Sequence, residues 1–121
     1  MIPEAIDQVI GHLLEHKFLN EERFAKSFAR GKFTIKKWGR NRIVNELKYR
    51  QISRFNIKIA LKEIDDGIYL DTLNALAQKR LNQLTENNLQ KKRKELADYL
   101  LYRGWESHLV YAILNELIPN T

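Results

Sequence analysis

Tyr49-Arg50-Gln51-Ile52 returns as Tyr102-Arg103-Gly104-Trp105, a shift of 53 positions. At the same shift Ile57 meets Val110, Leu61 meets Leu114, Glu63 meets Glu116 and Ile64 meets Leu117. Self-similarity at a fixed period marks stacked supersecondary units, each too small to bury its apolar face alone. Ile6, Val9, Ile10 and Leu13 enter the same pattern opposite Ile57, Ala60, Leu61 and Ile64. Three copies of one closing helix are therefore expected. On this reading residues 1–18 are the last helix of a truncated first repeat, 19–65 a second three-helix repeat and 66–121 a third.

Outward from that repeat, helix is open to the whole interior. The two prolines, Pro3 and Pro119, lie at the ends, so no residue between them lacks a backbone donor. Apolar residues recur three and four apart, as in Phe24, Phe28; Ile43, Leu47; Leu73, Leu76, Ala77; and Leu96, Leu100, which places each set on one helical face. Strict alternation of the strand kind is absent. Punctuation falls at Asn20, Trp38-Gly39, Ser53, Asp66-Gly67, Thr85 and Gly104, and about seven helices in an all-α fold follow.

Local chemistry sharpens these boundaries. Asn20, Ser53 and Thr85 are expected N-caps, with Glu21 and Glu22 adding negative charge at a helix start. Asp65 and Asp66 are expected to cap the helix after them. Gly104 can take the left-handed conformation that ends a helix, with Trp105 folding back onto the preceding turn.

The chain has 121 residues and a formal charge of +6, which favours an anionic partner. With no cysteine there is no disulfide, thiol nucleophile or thiolate metal site, and the composition fits a reducing, cytoplasmic setting. No apolar run approaches the roughly 18 residues of a membrane span. His12-Leu13-Leu14-Glu15-His16 fits an inverted zinc-protease signature, yet three fixed positions without a third ligand read more simply as exposed helix residues. His108 has no evident partner, and no glycine-rich phosphate loop occurs. No catalytic residue, metal or cofactor is expected.

Phe18-Leu19-Asn20-Glu21-Glu22-Arg23-Phe24-Ala25, followed by Lys37-Trp38-Gly39-Arg40-Asn41-Arg42-Ile43-Val44-Asn45-Glu46-Leu47, resembles the central segment of RecX proteins. Lys92 to Trp105 is similar to that family's last repeat. The resemblance implies tandem three-helix repeats and a regulator of DNA repair and homologous recombination. It implies binding to RecA filaments on DNA, in the filament groove, with inhibition of strand exchange and ATP hydrolysis. Gln51 departs from the glycine the family usually carries at that helix end.

Ten basic residues lie between Lys32 and Lys62, with Glu46 the only acid among them. Lys32, Lys36, Lys37, Arg40, Arg42, Lys48, Arg50 and Arg54 are the candidates for binding partner or DNA. They could neutralise phosphates or match an acidic filament groove, or simply be a solvated surface. Reversing Lys36, Lys37 and Arg40 is expected to weaken binding and leave the fold intact. Lys91 to Lys94 is offset by Glu86 and Glu95. Arg23 could pair with Glu22 or touch a partner. Trp38 and Trp105 could stack on bases but are expected to pack a small core, and Tyr49 and Tyr102, equivalent in the repeat, are expected to be structural. A free-standing helix-turn-helix DNA binder and a pure protein scaffold stay open, and a monomer is the expectation.

Overall fold

Asn20 does not open a helix. A computed structural model of the chain describes residues 3–119, with side chains described for Lys17 and residues 19–119. In it α1 runs unbroken over Pro3–Thr34. It is followed by α2 (Arg40–Tyr49), α3 (Arg54–Leu61), α4 (Asp66–Gln83), α5 (Leu89–Tyr102) and α6 (Ser107–Leu117). The described residues thus form six helices, where seven were expected. The physical reason is that no proline or glycine lies between Gly11 and Gly31, and an interior asparagine costs about 0.7 kcal/mol or less relative to alanine. That is too little to break a helix with strong formers on both sides. The apolar face of Ile6, Val9, Ile10 and Leu13, and the histidines His12 and His16, lie outside the described side chains.

The second half of α1 packs on α3 and α2, while α4 packs on α5 and α6 and α5 on α6. Ala25 and Ala29, one turn apart and fully buried, let α1 approach α3 closely. The repeat is visible in the core. Ile43 and Leu47 of α2 correspond to Leu96 and Leu100 of α5, and all four are fully buried. Ile57 corresponds to Val110 and Ala60 to Ile113, again all buried. No helix among the described residues is long and apolar enough to cross a membrane.

The helix ends show which local rules hold. Ser53 Oγ accepts from the Asn56 N–H at 3.2 Å, and Asp65 Oδ2 accepts from the Ile68 N–H at 3.0 Å, as expected of N-caps. Thr85 is not a cap. Asn88 takes that role, accepting from the Lys91 N–H at 3.1 Å, while its own N–H donates to Glu86 at 3.0 Å and so holds the turn before α5. Glu21, inside α1 rather than at a helix start, reaches across to α3, where its Oε1 accepts from the Ser53 N–H at 2.5 Å and from Asn56 Nδ2 at 3.3 Å. The Ser53 N–H is the main reason the Glu21 carboxyl is held below the usual carboxylate range.

At the other ends the repeat is exact in register. Gly104 has φ +95° and Gln51 φ +61°. Each is followed by a six-to-one hydrogen bond, Trp105 N–H to Leu100 O at 3.2 Å and Ile52 N–H to Leu47 O at 3.0 Å. Gln51 therefore builds the glycine-type ending without glycine, at a steric cost from its Cβ.

Candidate binding surface

The basic residues singled out from sequence divide into three groups, and only one is free. Arg40 is committed to a joint between the two repeats. Its backbone N–H donates to the Tyr69 hydroxyl at 2.8 Å, its Nη2 to Asp66 at 2.6 Å and its Nη1 to Glu106 at 3.2 Å. Its guanidinium sits 3.9 Å from the centroid of the Tyr69 ring. Tyr69 is fully buried and its hydroxyl donates to Glu106, so burial and that bond push its ionisation well above the ordinary tyrosine range. The expectation that reversing Arg40 leaves the fold intact is corrected by this geometry: a carboxylate there would face Asp66 and Glu106.

Backbone and rings complete the joint. The Gly39 N–H donates to Arg103 O at 2.8 Å and the Asn41 N–H to Gly104 O at 2.9 Å. A Cβ on Gly39 would stand 2.4 Å from the Gly104 backbone, so the two strands of chain meet with no room for a side chain. Beside them Trp105 is fully buried, with ring centroids 4.5 Å from Tyr69 and 6.4 Å from Phe33. The packing role expected of Trp105 holds. Trp38 is half-buried, 6.3 Å from Phe28.

The second group is held by aromatic rings. Lys32 Nζ lies 5.0 Å from the Trp38 ring and 5.5 Å from Phe28. Arg42 lies 4.3 Å from Trp38 and 5.1 Å from Tyr102. Arg50 lies 4.8 Å from Phe28 and pairs with Glu46 at 2.8 Å. Such contacts position a cation without neutralising it, except at Arg50 where the acid does so. The third group is Lys36, Lys37, Lys48 and Arg54, all exposed and without a side-chain hydrogen bond or ion pair among the described residues. Arg23 is exposed and likewise has no ion pair among them.

Tyr49 and Tyr102 are 85% and 78% exposed, so neither belongs to the core, although Tyr102 supports Arg42. In the Lys91 to Lys94 cluster, Arg93 donates to Leu114 O, Ile118 O and Asn115 at the end of α6, and Lys94 pairs with Asp98 at 3.0 Å. These are structural roles. Sequence reading passed over Arg80 and Arg103, both set on the Tyr99 ring. The repeat held a signal for Arg103, which corresponds to Arg50, but none for Arg80.

Comparison with known proteins agrees with this architecture. The chain matches the family models described as RecX, second three-helix domain, over residues 20–61, and RecX, third three-helix domain, over residues 68–114. It is 26% identical over 113 residues to the regulatory protein RecX of Clostridioides difficile (strain 630), covering 93% of this chain and 53% of that one. It is 30% identical over 117 residues to that of Clostridium botulinum (strain Eklund 17B / Type B), covering 95% and 54%. With that of Yersinia enterocolitica the identity is 28% over 116 residues, covering 96% and 68%. The chain spans about half the length of the clostridial relatives it matches. The crystal structure of RecX from Lactobacillus salivarius shares the fold, with a TM-score of 0.75 at 22% identity, over 96% of this chain and 75% of that one.

Proposed function

The chain belongs to the RecX family of regulatory proteins, and on that premise we propose that it binds RecA filaments assembled on DNA and restrains their strand exchange and ATP hydrolysis. It acts in the cytoplasm by binding and has no reaction of its own. The observation that carries this reading is the joint. Arg40, Tyr69, Glu106 and the Gly39–Gly104 contact tie two equivalent three-helix units to one another, so a repetitive partner meets both units in a fixed relation. Lys36, Lys37, Lys48 and Arg54 carry charge that no acid among the described residues offsets, which suits an anionic partner.

The test is RecA-dependent ATP hydrolysis on single-stranded DNA with and without the chain. Slower hydrolysis in its presence, at a fixed salt concentration, is the expected result, and an unchanged rate at saturating protein overturns the reading. The helix-turn-helix alternative loses support from α2. The arginine at its start is bound into the joint and Arg42 is held against two rings.

A further inference from the structure

Three arginines from separate parts of the chain converge beside the joint. Arg42, Arg80 and Arg103 line a hollow of about 590 Å³ together with Tyr99 and Tyr102. None of the three has an ion pair among the described residues. Rings hold them instead. Arg80 and Arg103 lie 4.8 Å and 4.6 Å from the Tyr99 centroid, and Arg42 lies between Trp38 and Tyr102. Arg42 gives one N–H to Tyr102 O at 3.5 Å and Arg103 one to Lys36 O at 3.1 Å. Arg80 Nε is buried with no acceptor among the described residues. Glu95 and Asp98 also line the hollow, but Asp98 is engaged by Lys94, so positive charge dominates.

We propose that this hollow binds one nucleotide unit, with the base stacked on Tyr102 and the phosphate held by Arg80 and Arg103. Guanidinium groups fixed by aromatic contact keep their charge and their remaining donors, and their planar forks match phosphate oxygens. Tyr102, 78% exposed at the rim, offers the ring surface on which bases of a single strand stack. The volume is that of an ordinary small-ligand site. The unit comes either from a single strand or from a free nucleotide. The proposal deepens the reading of the chain as a partner of DNA-bound filaments, and its test contains no RecA, so the two fail separately.

The test measures fluorescence anisotropy of a labelled short oligothymidylate titrated with the full chain at low salt. Tyr102→Ala weakens binding roughly tenfold, while Tyr102→Phe, which keeps the ring, binds like the parent. The double change Arg80→Gln with Arg103→Gln weakens binding and lowers the slope of log K against log salt. Should the double variant lose its helical circular dichroism, the Tyr102 pair decides alone. Displacement of the oligomer by thymidine monophosphate assigns the site to free nucleotides, and oligomer binding without displacement assigns it to a strand. If neither probe binds, or if Tyr102→Ala binds like the parent, the proposal is overturned.

Discussion

Arg40 and Tyr69 meet twice: the arginine's guanidinium lies 3.9 Å from the tyrosine's ring centroid, and its backbone N–H donates to the same residue's hydroxyl at 2.8 Å. One residue of the second repeat thereby reads both the face and the tip of a buried side chain of the third. Arg40→Ala keeps the backbone bond but removes the ring contact and the pairs with Asp66 and Glu106. A loss of about 2 kcal/mol in urea-induced unfolding is expected, since hydrogen bonds to charged groups contribute about 1.5–3 kcal/mol. A variant as stable as the parent would show that the joint carries no energy.

Gln51→Gly relieves the Cβ at φ +61°. The left-handed region costs a side chain about 1–2 kcal/mol, and glycine gives back part of this as unfolded-state entropy, so a net gain of about 0.5–1 kcal/mol is expected. Gly104→Ala goes the other way and further, because its Cβ would stand 2.3 Å from that of Arg42 as well as at φ +95°. A loss of about 3 kcal/mol is expected. Thermal unfolding of both variants checks the opposite signs.

Glu21 sets an acid dependence. Its folded carboxyl is held below the ordinary range, chiefly by the Ser53 N–H, so as pH falls the unfolded chain takes up the proton first. The stabilisation is complete at neutral pH and is lost as pH drops through the folded value. The stability gap between the parent and Glu21→Gln is therefore widest at neutral pH and closes as pH falls below the ordinary carboxylate range. A gap that stays constant down to that acidity would remove Glu21 as the cause.

Reversing free charges separates binding from folding. Lys36→Glu, Lys37→Glu and Lys48→Glu together change side chains that are exposed and unpaired among the described residues, so the melting temperature stays close to that of the parent. Capture on RecA-coated single-stranded DNA weakens and becomes less salt-dependent. Undiminished capture by the folded triple variant would take these lysines out of the interface.

The fold was legible where the signal is periodic and local. The spacing of Ile43 and Leu47 and its echo at Leu96 and Leu100 describe real core positions, and the capping chemistry of Ser53, Asp65 and Gly104 is as the residues suggest. Asn20 misled because a capping residue signals a helix start only where the chain before it is not already helical. The candidate surface was less legible. Counting basic residues registers their sign but not their distance from acids, and Arg40 finds Glu106 across 66 positions of sequence. Arg80 lies far from the dense cluster and becomes visible only when α4 and α5 bring it to the Tyr99 ring.

The meeting of Gly39 with Gly104 bears on how such repeats can be exchanged. Side chains at a seam can adopt other rotamers and accommodate a new neighbour, whereas two backbones in contact have no such freedom. A third repeat transplanted from another protein would have to present a bare backbone at its own helix end, and the second repeat would have to answer with another. The transferable module is thus not the three-helix unit but the unit together with half of its seam, and chimaeras cut anywhere else inherit a mismatch that no repacking can absorb.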